Sequence, residues 1–401
     1  MKKKVMILHH SGSIGGAGVS VFNTIEALKN EYEIVIYCPS QPKDFSSFLK
    51  NNGVVVKTFD FPIGSIHHYS GGSSLFSLGF AKGITNIYAH KEKWKKIFDI
   101  ENPDLIIANS KILAWVSLIT KNTSFKSICY VRETRKKSTF NVWNNIQKRL
   151  LEKFDGVIFI SKYDKKQESL KNSNSVIPNF IDMKNYKESL SRKEICERLN
   201  LNPKDFNILF VGGMLKIKGF DIAVESMKYL KNTNAKLIVA GDSKFIYRPN
   251  TNIINKIYNF LKKKHENKIE RIIKENNLEK NIEKIGIQNR MNDIYSLADV
   301  LIFPATTPHQ ARPVFEAGAT ATPVIMPDFE NTLEYVSNDI NGLIFKNKNS
   351  KDLADKIQTI INDKEFAQKL GQKNYEYTLK NHTRVTSEKS LKLFISEILN
   401  H

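Results

Sequence analysis

The chain has 401 residues, more than one hydrophobic core usually organises, so two domains are expected. With 41% hydrophobic and 25% charged residues the composition is that of a globular protein, and no apolar run approaches the roughly 18 residues needed to span a bilayer. A formal charge of +20 points to an anionic partner: nucleic acid, an anionic membrane face or a phosphorylated substrate. The three cysteines, Cys38, Cys129 and Cys196, are far apart and each lies in or beside an apolar run, so neither a zinc site nor a disulfide framework is suggested and a reducing cytoplasm fits. Lys2, Lys3 and Lys4 followed by apolar residues 5–8 have the outline of a signal peptide, but His9 and His10 end the apolar run too early.

In chain order, residues 5–8 read as a buried strand, followed by a glycine-rich turn and a helix over 19–29. Further short apolar runs at 34–37, 54–57, 105–108, 127–131 and 157–160 alternate with polar or helical segments. Such runs, separated by helices, describe a parallel sheet covered on both faces. The pattern pauses at 178–182, and a polar, lysine-rich stretch runs on to 204. It restarts with a strand at 208–211, a glycine turn, a helix over 220–230 and a strand at 236–240. Strands at 282–286, 300–303, 323–326 and 343–345 complete the second series. Two successive series predict an α/β chain of two Rossmann-like, doubly wound domains, 1–182 and 183–383. A last helix, 384–401, is expected to pack back on the first domain. Segment 244–277 is long and basic, with Lys262, Lys263 and Lys264 in succession, and reads as helices in a loop excursion, either a solvated face or a binding surface.

Three places carry candidate chemistry. Gly15 and Gly16 follow the first strand and open a helix, where backbone can approach a ligand and unpaired N–H groups face an anion. Tyr37-Cys38-Pro39, with no acid, ends the second strand, which argues against NAD. In the second domain Gly212-Gly213 leads to Lys216, Lys218 and Gly219 at a helix start; two lysines in such a turn can neutralise a diphosphate, and the spacing is not that of a P-loop. The densest stretch, 303–317, follows an apolar strand and so lies at the carboxyl end of a sheet, where open α/β sheets bind ligands. It holds His309, Gln310, Ala311, Arg312, Pro313 and Glu316. Glu316 is either a partner of the helix dipole or a carboxylate that accepts both hydroxyls of a ribose.

On these residues the chain resembles the GT-B retaining glycosyltransferases of family 4. Val211 to Gly219 resembles the family's diphosphate loop, and Val239-Ala240-Gly241-Asp242 its next strand and turn. Gly286, Arg290, Asp293 and Ala298-Asp299-Val300 resemble the segment around the base. Pro313 to Ala317, Thr322 to Ile325, Glu334 and Asn341-Gly342-Leu343 resemble the signature region, and Val176 to Asn179 the domain junction. The resemblance implies two domains facing a central cleft, and a nucleotide-sugar, UDP- or GDP-linked, as co-substrate with no cofactor and no metal. It implies Lys218 on the diphosphate, Glu316 on the ribose and backbone near Ile287 on the base. Gly15, Gly16, Gly213, Lys216, His309, Gln310, Ala311, Arg312, Pro313 and Glu334 complete the donor set, with Lys218, Arg312, Arg132 and Glu133 as the catalytic positions. A glycan or lipid-linked acceptor at the inner face of a bacterial membrane is the implied setting.

Departures from the family pattern are equally specific. Gly213 stands where an arginine is common, Pro308 where the first of two signature glutamates falls, and Arg132 where a histidine is frequent. No Asp-x-Asp occurs, and the missing glutamate leaves the two-carboxylate scheme of retaining hydrolases without its pair. A non-catalytic sugar-nucleotide binder and a GT-B epimerase therefore stand as alternatives. Nucleic acid is not an expected partner, because zinc, RNP and helix-turn-helix cues are lacking. Aromatic residues between Phe61 and Phe80, and Arg135-Lys136-Lys137 followed by Phe140 and Trp143, suggest peripheral contact with an anionic membrane.

Overall fold

The computed structural model describes residues 2–70, 78–136, 142–187, 189–214, 216–230, 233–241 and 253–400. The chain divides into two compact units, Met1–Asp182 with Asn381–His401, and Met183–Lys380.

In the first unit seven strands form one parallel sheet: β1 (Lys4–Leu8), β2 (Glu33–Pro39), β3 (Val55–Phe59), β4 (Leu105–Ala108), β5 (Lys126–Val131), β6 (Gly156–Phe159) and β7 (Ser173–Val176). Their order is β3-β2-β1-β4-β5-β6-β7. Side chains alternate across the sheet. Met6, Leu8, Ile106 and Ala108 face a cluster with Trp94, Phe98 and Trp115. Val5, Ile7, Leu105 and Ile107 face the helix Gly16–Leu28 and the last helix, Arg384–Asn400, through Val21, Ile25, Leu391, Phe394 and Ile395. The guanidinium of Arg384 also donates to the Glu26 carbonyl (2.5 Å). Strand β7 escapes a reading by apolar runs because it is Ser-Asn-Ser-Val, an edge strand with one neighbour.

The aromatic residues of 61–80 are a correction. Among the described residues, Phe80 is buried and Phe61 and Tyr69 are half-buried against the core. Phe61 packs at 5.2 Å from Trp94, and Phe80 is buried edge-on to Trp143 at 4.8 Å. The segment is tied to the turn after β4: the Ile66 N–H donates to the Ile112 carbonyl (2.9 Å) and the Trp115 indole to the Gly64 carbonyl (2.5 Å). Phe76, Lys137 and Phe140 lie outside the described residues.

The second unit has six parallel strands: β8 (Phe206–Val211), β9 (Ala235–Ala240), β10 (Ile282–Gly286), β11 (Val300–Ile302), β12 (Val324–Pro327) and β13 (Leu343–Phe345), ordered β10-β9-β8-β11-β12-β13. Both sheets have the doubly wound order, in which the first strand of each series is flanked by the second and the fourth. The basic segment contributes one helix, Ile253–Glu275. Asp242 and the rest of 242–252 lie outside the described residues. No helix among the described residues is long and apolar enough to cross a membrane.

One ion pair in the first unit is fully enclosed. Lys111, in the turn after β4, meets Glu168 at the end of the helix Lys162–Glu168, and neither side chain is more than 1% exposed. Removing one partner strands a charge away from water, whereas replacing both does not. Glu168→Ala is expected to lower unfolding stability by about 3–5 kcal/mol in urea titrations, and the double variant Lys111→Met/Glu168→Leu to recover most of it.

Candidate active site

The second unit gathers its polar side chains at the carboxyl ends of β8 and β11. The backbone of Gly212 has φ +130° and that of Gly241, after β9, φ +123°, so both need glycine. Gly213 follows, half-buried. The turn Lys216–Lys218 then hands over to Gly219, whose φ of +75° and position leave no room for a side chain: a Cβ there would sit 1.8 Å from the Pro304 carbonyl oxygen. This close approach seats the turn on the loop after β11. The Thr306 N–H donates to the Ile217 carbonyl at 3.0 Å and the Thr306 hydroxyl to the Lys216 carbonyl at 3.3 Å.

The two loops meet through side chains as well. The Lys218 ammonium hydrogen-bonds to Nε2 of His309. An ammonium can only donate, so His309 must be neutral with its proton on Nδ1. Burial lowers the Lys218 pKa to about 8. For His309 burial, and then the charge of Lys218, push it down to about 3. The pair therefore holds one positive charge, on lysine, near neutral pH. Asn331 fixes the loop by donating its side-chain amide to the His309 carbonyl (3.1 Å), and the Tyr335 hydroxyl donates to the Gln310 side-chain oxygen (2.7 Å). Glu334, in the same turn, accepts the Tyr377 hydroxyl on its carbonyl.

One helix, Arg312–Gly318, carries the next group, with Ala311 as its buried N-cap and Pro313 in the first turn. Arg312 donates to one carboxylate oxygen of Glu316 (2.6 Å) and Tyr295 to the other (2.7 Å). Tyr186 also hydrogen-bonds Glu316, and its own pKa lies well above the usual value, from burial first and then the carboxylate's charge. The spacing placed Glu316 just inside a helix; the two tyrosines that hold it come from distant segments. Lys216 is exposed on the other side of the turn, where it lines a cavity with the long helix. Ile287 is exposed just beyond β10. Asp293 is buried and paired with Arg198 (2.8 Å) and Arg290 (2.9 Å), ties internal to the unit.

In the first unit Arg132 follows β5, and its guanidinium is held by neutral groups: Nε donates to the Asn109 oxygen (2.8 Å), another nitrogen to the Asn179 oxygen (2.6 Å) and a third to the Thr24 hydroxyl (3.3 Å), with the Tyr130 ring 3.9 Å away. Asn109 thereby turns its amide nitrogen to Nδ1 of His9 (3.0 Å), which leaves the His9 proton on Nε2. That buried Nε2 has no hydrogen-bond partner among the described residues. Burial, then His10 and Arg132, keep His9 well below its ordinary pKa. Glu133 accepts from the Ser110 hydroxyl (2.5 Å) and the Lys111 N–H (2.8 Å), and desolvation raises its pKa. A Cβ on Gly15 would meet nothing within 4 Å, and its φ of −119° suits any residue, so the fold itself does not require glycine there. Gly16 opens the helix beside it. His9 and Asn109 were missed by sequence reasoning, although both directly follow strands. Among the described residues no group of three or more His, Cys, Asp or Glu side chains is disposed to hold a metal ion.

Known families match both units. Residues 14–185 match the model of Glycosyltransferase Family 4, and residues 191–377 that of Glycosyl transferases group 1. The chain belongs to the GT-B glycosyltransferases. An uncharacterized glycosyltransferase of Methanocaldococcus jannaschii is 27% identical over 380 residues, 92% of this glycosyltransferase and 90% of the relative. The N,N'-diacetylbacillosaminyl-diphospho-undecaprenol alpha-1,3-N-acetylgalactosaminyltransferase of Campylobacter jejuni is 26% identical over 116 residues, 29% of this chain and 31% of its own. Among solved structures, Anabaena HepE in complex with UDP-glucose has a TM-score of 0.78 at 17% identity, covering 98% of this chain and 99% of that one. The sucrose-phosphate synthase of Thermosynechococcus elongatus has 0.77 at 18%, covering both chains completely.

The Lys218 contact makes a spectroscopic prediction. In long-range nitrogen–proton spectra the His309 ring is expected to stay neutral from about pH 5 to about pH 8. A His309 resonance titrating near its ordinary value would contradict the pairing.

Proposed function

We propose that this glycosyltransferase retains anomeric configuration, needs no metal ion, and moves a sugar from a UDP- or GDP-linked donor to a glycan or lipid-linked acceptor. The setting is bacterial polysaccharide, lipopolysaccharide or glycolipid assembly in the cytoplasm, at the inner membrane face. The observation that carries the reading is Lys218, a desolvated cation joined to His309 at the ends of β8 and β11, beside backbone that only glycine permits. UDP-glucose in HepE favours a uridine donor, and the Campylobacter relative's name favours an acceptor on a lipid diphosphate.

On this reading the second unit binds the donor and the first serves the acceptor. Lys218 lies against the donor diphosphate, with backbone of Gly213, Gln310, Ala311 and Pro313 closing around it and Lys216 adding charge from the rim. Glu316, oriented by Arg312, Tyr295 and Tyr186, keeps about one of its roughly four acceptor sites for a ribose hydroxyl. Ile287 and Glu334 flank the base and the sugar. In the first unit Gly15, Gly16, Arg132 and Glu133 serve the acceptor side. The bond from the anomeric carbon to the phosphate oxygen breaks while the acceptor oxygen bonds to that carbon from the same face. The acceptor's proton passes to the leaving phosphate oxygen, and charge building there is met by Lys218. Pro308 in place of the first signature glutamate favours one other reading, a binder of sugar nucleotides without turnover.

Incubating the protein in EDTA with UDP- and GDP-sugars and a crude lipid-linked acceptor separates the two. Acceptor-dependent nucleotide release supports transfer, and tight binding with no release supports the binder. Lys218→Ala is expected to cut turnover about 100-fold or more with the thermal melt unchanged; unaltered turnover removes Lys218 from the mechanism. Because Lys218 is charged below about pH 8 and loses its proton above it, donor affinity is expected to fall as pH rises through that value. Lys218→Arg should abolish this pH dependence.

A further inference from the structure

Three neighbouring strands of the first unit, β1, β4 and β5, are followed directly by His9, Asn109 and Arg132. Their side chains form one line of hydrogen bonds. The Arg132 guanidinium donates to the Asn109 oxygen at 2.8 Å, and the Asn109 amide nitrogen lies 3.0 Å from Nδ1 of His9. Because a guanidinium only donates, Asn109 cannot turn its amide round, and the imidazole must carry its proton on Nε2. His9 is fully buried, yet that N–H has no partner among the described residues. An unmet buried donor destabilises a fold and marks a place where the oxygen of a ligand or a water belongs. The start of the helix Gly16–Leu28 lies beside it. Phe45 links the two: its ring is 4.8 Å from that of His9, and a Cβ on Gly18 would stand 3.1 Å from it. Gly15 caps this helix without a side-chain hydrogen bond, the arrangement in which the first N–H groups receive an anion. The charges that bear on His9 are those of His10 and Arg132, and on His10 those of His67 and Arg132; no carboxylate is among them. Glu133, next in sequence to Arg132, is turned to Ser110 and Lys111.

We propose that His9 binds substrate: its Nε2–H and the start of the helix Gly16–Leu28 hold a phosphate group of the acceptor, with Asn109 and Arg132 as positioning residues that keep the imidazole a donor. The proposal rests on the reading that the first unit serves the acceptor. A phosphate presents oxygens in several directions and can take hydrogen bonds from an imidazole and a helix start at once. Nε2 cannot act as the base for the acceptor hydroxyl, because it already carries a proton. The site uses none of Lys218, His309 or Glu316, so its failure is distinct from that of the donor site.

The test uses the full chain. Long-range nitrogen–proton spectra are expected to show His9 neutral with its proton on Nε2, and that proton to move downfield and saturate as inorganic phosphate is titrated. A proton on Nδ1, or an Nε2 proton that phosphate leaves in place, overturns the proposal and gives the site to water. Asn109→Leu is expected to release a mixture of His9 tautomers and to weaken phosphate binding; an amide that served packing alone would leave the His9 spectrum unchanged. With UDP-glucose and a crude lipid-linked acceptor, His9→Phe is expected to raise the acceptor KM about tenfold or more. His9→Gln, whose amide nitrogen can stand near the place of Nε2, should restore most of the loss, and both variants should bind UDP as the unaltered protein does. Weakened UDP binding with an unchanged acceptor KM would assign the phosphate to the donor and overturn the acceptor assignment. Phosphate binding at His9 without turnover from any donor would keep the anion site and refute the transferase reading instead.

Discussion

A lysine that keeps its charge while losing most of its water organises the second unit. The ammonium of Lys218 has neutral His309 as its hydrogen-bond partner. A carboxylate in that place would neutralise the lysine and repel an anionic ligand; an imidazole accepts the hydrogen bond and leaves the charge in place. Two features follow from seating it. Gly219 must lack a side chain so that its turn can press against Pro304. The loop carrying His309 must be fixed from behind, which Asn331 and Tyr335 do. Energetically, a cation prepared this way acts more strongly on phosphate than a solvated surface lysine, because little water screens it.

The first unit shares the strand order but handles charge differently. Its buried guanidinium, Arg132, is tethered by two amide oxygens and a hydroxyl. These acceptors fix its direction, and through Asn109 they also set the His9 tautomer. Each unit thus presents an oriented positive group at the carboxyl ends of its strands, the place where a doubly wound sheet offers loops and helix starts to a ligand.

Most of the fold was legible because its signal is local. Strands such as Val5-Met6-Ile7-Leu8 and Val300-Leu301-Ile302 are apolar throughout, as strands buried on both faces must be. Strand β7 was not legible, since an edge strand can be polar. The aromatic residues Phe61 and Phe80 were misread as surface because what buries them, Trp94 and Trp143, lies far along the chain. In the candidate site the glycines, Lys218, His309 and Glu316 could be read from one stretch each. Their partners could not: Lys218 and His309 are 91 residues apart, and Tyr295 and Tyr186 reach Glu316 from other elements. Sequence shows which side chains stand at strand ends, but pairing between loops is fixed only once strand order brings those ends together.

The central claim is that the ends of β8 and β11 form a nucleoside-diphosphate site. Hydrogen–deuterium exchange of the full chain with and without UDP tests it most directly. The account predicts slowed exchange in two backbone segments, Gly212 to Gly219 and His309 to Glu316, with a smaller effect near Ile287, all abolished by Lys218→Ala. Protection elsewhere, with these two segments unchanged, would contradict it.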